Sequence, residues 1–142
     1  LAALPGEKRV YGAGREHSGV PEREFSEARF LDDLASCRCV LVNGGHTTIS
    51  EALHFGKPVL CLPVQGQAEQ EINAHYVAAL GFGCSYRPGT GEVPDFHPFF
   101  EREAAIRGTI LSGRPACGNG DLEQIVLDRL QGWRRPGAAG NG

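Results

Sequence analysis

The chain has 142 residues, 41% hydrophobic and 22% charged, the balance of one globular domain long enough for a sizeable core. Its formal net charge of −3 gives no electrostatic case for nucleic acid or an acidic membrane surface. No apolar run approaches the ~20 residues of a membrane helix, no signal-peptide pattern opens the chain, and the 5 histidines show no metal-ligand spacing.

The cysteines are Cys37, Cys39, Cys61, Cys84 and Cys117. Their number is odd and they contain no C-x-x-C pair. Cys39 and Cys61 lie in apolar runs, where cysteine acts as a small hydrophobe. This favours a reducing compartment, and a cytoplasmic location is expected. Cys37 and Cys39 supply two soft ligands, which do not make a metal site. Methionine is absent even at position 1, so the chain is expected to begin inside a longer gene product.

In chain order, Pro5-Gly6 reads as a turn and Lys8–Tyr11 as a short strand. The glycine-rich stretch from Gly12 to Gly19 reads as a loop. Phe30, Leu31 and Leu34 mark a short helix, with Asp32 and Asp33 in its first turn, favourable to the helix dipole. Cys39–Val42 reads as a parallel strand apolar on both faces. A helix over Thr47–Phe55 carries Ile49, Ala52 and Leu53 at helical spacing and stops at Gly56. Pro58–Leu62 is the next buried strand, with Pro58 at its first position.

Ile72, Tyr76, Ala79 and Leu80 predict a second amphipathic helix, ended by Gly81. Gly83–Arg87 is a last short strand, and Pro88 to Pro94 a loop. Asp95 to Leu111 predicts a helix with Phe96, Phe99, Phe100, Ile106 and Ile110 as its apolar set and Pro98 in the first turn. Leu122, Ile125, Val126 and Leu130 predict a final helix. Residues 1–133 are expected to form one domain, and the Pro- and Gly-rich residues 134–142 a disordered tail. Strands alternating with helices on short connections predict an α/β fold with an open parallel sheet, which binds ligands beyond the carboxyl ends of its strands.

The segment Asn43-Gly44-Gly45-His46-Thr47-Thr48 lies at such an end. It joins a strand to a helix whose first N–H groups have no intrahelical partner and carry the positive end of the dipole. Two glycines let an anion approach the backbone, and two threonines add hydroxyl donors. Gly44, Gly45, His46, Thr47 and Thr48 therefore read as a diphosphate cradle. The competing reading is a helix start capped by Asn43 or Thr47. His46 either donates to a phosphate or is simply exposed.

Glu51, one turn after Thr47, can accept two hydrogen bonds from a vicinal diol, as a ribose offers. Glu69, Gln70 and Asn73 form a polar edge at a helix start, opposite the Ile72/Tyr76 stripe, with donors and acceptors suited to sugar hydroxyls. For all of these the plain alternative is a solvated helix surface. The carboxylates show no paired hydrolase arrangement.

The blocks "NGGHTTISEAL", "GKPVLCLP" and "EQEINA" resemble, in order and spacing, the donor-nucleotide motif of GT-B glycosyltransferases. They are most like the family that includes the bacterial lipid II N-acetylglucosaminyltransferase and related archaeal and bacterial glycosyltransferases. The likeness is good over residues 25–85. It implies a Rossmann-like carboxyl-terminal half of a GT-B fold, with its first strand and helix missing before Leu1. It also implies glycosyl transfer from a nucleotide-sugar donor, UDP-linked, with Glu51 on the ribose and Glu69 and Gln70 on the donor sugar. In that family an amino-terminal half holds the acceptor and the catalytic base. That half would be an upstream domain or a partner subunit, and peripheral membrane association would come through it. No cofactor or metal is implied, and no catalytic residue is expected in this chain. Alternatives are a sugar-nucleotide epimerase or hydrolase of the same fold, or a non-catalytic donor-binding subunit of a split enzyme.

Overall fold

The computed structural model describes residues 6–12, 20, 22–87 and 95–113. The elements run α1 (Glu27–Ser36), β1 (Val40–Val42), α2 (His46–His54), β2 (Val59–Cys61), α3 (Ala68–Ala79), β3 (Gly83–Ser85) and α4 (His97–Ser112). The three strands form one parallel sheet in the order β1-β2-β3, with Val42 level with Cys61 and Cys61 level with Ser85. The expected α/β parallel sheet is present. The expected final helix, the tail, the 88–94 loop and Cys117 lie outside the described residues.

Alternate residues of β2 feed two cores. Val59 and Cys61 meet Leu34 of α1, Ile49 and Ala52 of α2, and Ala74 and Val77 of α3. Leu60 meets Phe99, Ile106 and Ile110 of α4. Three helices therefore cover one face and α4 the other, the layering that a doubly covered parallel sheet demands. Pro58 is fully buried immediately ahead of β2, where its missing N–H takes no ladder bond. Gly56 and Gly81 end their helices at φ 68° and 73°, as the sequence predicts.

Four details differ from the sequence expectation. Over residues 8–11 the described pairing is a single parallel bridge, Val10 to Glu22. Helix α1 starts at Glu27, so Asp33 falls near its carboxyl end, where the dipole disfavours a carboxylate. There Asp33 is held by Arg9, by the Tyr11 hydroxyl and by Arg23 at 2.9 Å. Leu41 of β1 is 39% exposed, so this strand is not covered on both faces by the described residues.

The fourth difference is the rotation of α3. Ala74 and Val77 are buried, whereas Ile72, Tyr76 and Leu80 are more than half exposed. The cause is close packing: a Cβ built on Gly83 would lie 2.9 Å from Val77 Cγ1 and would be driven into the Val59 carbonyl. At that depth only small side chains fit between α3 and the sheet.

Candidate functional site

The turns after β1 and β2 lie side by side because parallel strands point the same way. In the first, Gly44 is buried with φ 99°, a conformation favourable only to glycine. A Cβ here would come 2.7 Å from the Gln70 carbonyl oxygen and 3.1 Å from its Cα. The phosphate-type turn therefore packs directly on the start of α3.

Gly45 is the N-cap residue of α2, and no side chain caps the helix. The Asn43 side chain accepts instead from the Gly45 N–H, at 3.3 Å, one step ahead of the helix. The N–H groups of the first turn, at His46, Thr47 and Thr48, are left as the orphan donors of a helix start, beside the exposed side chains of His46 and Thr47. An anion seated there meets backbone donors and the positive end of α2 together.

Two α3 side chains tie the turns together. Asn73 Nδ2 donates to the Gly44 carbonyl at 2.9 Å. Gln70 Oε1 accepts from the Val64 N–H at 3.0 Å, which fixes the loop after β2 and leaves the Gln70 amide nitrogen available. His46 and Asn73 head a groove between α2 and α3 that continues over Ile49, Leu53, Tyr76 and Leu80. Gly44, Gly45, His46, Gln70 and Asn73 thus come together at one end of the sheet. Glu51 is half-buried on α2 and Glu69 exposed on α3, and neither carboxylate makes a hydrogen bond or ion pair among the described residues.

The sequence reading put Asn73 on a polar edge opposite the Ile72/Tyr76 stripe. It lies instead beside Tyr76 in the groove, with one amide hydrogen donated to Gly44. The signal for this was present: two consecutive βα units place their helix starts as neighbours, so an amide early in one faces the turn of the other. Glu71 was passed over as well, and it pairs with Arg87 at 3.3 Å. Burial pushes Cys39 and Cys61 each to about 11 and raises Cys37.

An open parallel sheet with helices on both faces, and a glycine turn and uncapped helix at its carboxyl ends, defines a Rossmann-like α/β unit. The chain belongs to glycosyl transferase family 1, whose family model matches residues 1–97. An uncharacterized glycosyltransferase of Methanosarcina acetivorans is 42% identical over 69 residues, covering 46% of this chain and 18% of that protein. One from Methanopyrus kandleri is 33% identical over 66 residues, covering 44% of this chain and 19% of its own length. The match thus spans under a fifth of these relatives.

Among solved structures, the spinosyn forosaminyltransferase SpnP superposes with a TM-score of 0.60 at 26% identity, over 89% of this chain and 36% of that one. The glycosyltransferase SnogD from Streptomyces nogalater gives 0.60 at 20% identity, over 89% and 37%, a likeness of fold. No helix among the described residues is long and apolar enough to cross a membrane.

Proposed function

We propose that this chain is the donor-binding half of a glycosyltransferase and takes a UDP-linked sugar. The observation that carries this reading is the Gly44–Gly45 turn feeding the uncapped start of α2, with the α3 start packed against it. The diphosphate sits on Gly44, Gly45, His46, Thr47 and Thr48. Glu51 accepts from the ribose hydroxyls, and Glu69 and the free amide of Gln70 meet the sugar. Departure of the sugar leaves negative charge on the diphosphate. Fixed N–H groups and the α2 dipole stabilise that charge without reorganising, which lowers the barrier to transfer.

The acceptor and its base come from an amino-terminal half, on the same gene product or on a partner subunit, working in the cytoplasm or at the membrane surface. The coverage of under a fifth of the relatives' length is in keeping with this division. Calorimetric titration of the full chain with UDP tests the reading. Measurable binding is expected, weakened for UDP and a UDP-sugar alike in Thr48→Ala. Absence of binding by the folded protein overturns it. Epimerised or free sugar formed from a UDP-sugar without an acceptor would assign the chain to an epimerase or hydrolase instead.

A further inference from the structure

We infer that Asn73 is a positioning residue that locks the peptide unit of the diphosphate turn. The inference rests on the donor-binding reading above. The peptide joining Gly44 to Gly45 carries its carbonyl oxygen and its N–H on opposite sides, because the peptide is planar and trans. Both sides are engaged. Asn73 Nδ2 donates to the Gly44 oxygen at 2.9 Å, and Asn43 Oδ1 accepts from the Gly45 N–H at 3.3 Å. A peptide flanked by two glycines has the least steric resistance to rotation of any in a chain. Two asparagine side chains supply the restraint that the missing Cβ atoms do not.

The peptide they hold leads into Gly45, the N-cap of α2, so its orientation sets the entry into the helix whose first N–H groups are those of His46, Thr47 and Thr48. Asn73 also joins the two βα units across 29 residues of sequence. The turn therefore keeps its shape only while α3 is in place against it.

The test is calorimetry of the full chain with three ligands: uridine, UDP and UDP-N-acetylglucosamine. In Asn73→Ala, UDP should weaken about three- to tenfold for one lost neutral hydrogen bond, and UDP-N-acetylglucosamine at least as much. Uridine, which carries no phosphate, should bind as before. In Asn73→Asp the loss should be larger, because a carboxylate then faces the Gly44 oxygen beside the diphosphate. Asn43→Ala frees the same peptide from its other side without touching α3. It must reproduce the phosphate-dependent loss, and it keeps the test intact if position 73 does not tolerate change. Weakening of UDP-N-acetylglucosamine alone would make Asn73 a sugar contact and overturn the inference. Equal weakening of all three ligands would reduce Asn73 to general scaffolding and overturn it too, as would no weakening at all. Failure of the wild-type chain to bind UDP would instead remove the donor-binding reading on which the inference stands.

Discussion

The chain uses its carboxylates in two opposite ways, one on each side of the sheet's ends. Toward the end where the strands begin, Asp33 and Glu103 are buried and saturated. Asp33 takes Arg9, Tyr11 and Arg23. Glu103 takes Arg38, which lies just ahead of β1, and Arg107 at 3.1 Å. Where the strands end, the carboxylates of Glu51 and Glu69 have no hydrogen-bond or ion-pair partner among the described residues. A buried carboxylate without partners is costly, so the first pair had to be satisfied by the fold itself. The second pair remains available to a ligand. The difference separates charge that holds the chain together from charge that can select what it binds.

The largest effect should come from Gly44→Ala, which attacks the boundary between these two uses. The strain of φ 99° and the 2.7 Å approach to the Gln70 oxygen should together cost about 2–5 kcal/mol of stability. UDP binding should be lost as well, as thermal melts and calorimetry would show. A variant that kept both its melting temperature and its affinity would mean that the turn is a passive connection.

Glu51→Ala should cost about 1.5–3 kcal/mol of UDP affinity, the value of a charged hydrogen bond, with an unchanged urea midpoint. A shifted midpoint with intact affinity would move Glu51 into the structural class. Glu103→Ala should do the converse, lowering stability by about 1–3 kcal/mol while the folded protein binds UDP as before. The figure is held down because the Arg38 side chain is 64% exposed and recovers its hydration.

Acid should separate the classes again. The Tyr11 hydroxyl first, then the Arg23 and Arg9 guanidinium groups, hold the Asp33 carboxyl below the ordinary aspartate range, against the opposing effect of burial. Its contribution to stability is therefore complete above the unfolded value of ~3.9. That contribution is lost as the pH falls through the depressed folded value. The gap in urea midpoint between wild type and Asp33→Asn should be constant from neutral pH to about pH 5 and close below about pH 4. A gap independent of pH throughout would show that Asp33 is not held as an anion. The smallest effect should belong to Glu69→Gln, about tenfold or less in UDP-sugar affinity with UDP unchanged. Equal loss of both would place Glu69 at the diphosphate.

What was legible in the sequence was local. The strand–turn–helix order, Gly56 and Gly81 as helix ends, and Pro58 at the entry to a strand follow from backbone chemistry within a few residues. The glycine turn between a strand and a helix was legible too. What was not legible depends on distance along the chain or on depth in the core. The partners of Asp33 lie 24, 22 and 10 residues away, and the helix start that decides its dipole position fell one turn earlier than the apolar residues suggested. On α3, the bulky Ile72/Tyr76/Leu80 set and the small Ala74/Val77 set both have helical spacing. Hydrophobicity favours the first, while the space left over Gly83 admits the second. The same rotation places Asn73 where it reaches Gly44, so one misread helix face hid that contact as well.

The missing side chain of Gly83 has a consequence for how function can be lost. It sets how deep α3 sits against the sheet, through Val77, and one helical turn earlier the same α3 carries Asn73 to the Gly44 oxygen. A residue away from the turn thus helps to determine the turn's shape. In a saturation screen for variants that fail to retain nucleotide, positions 44 and 83 should both return glycine as the sole survivor, although only the first lies at the turn.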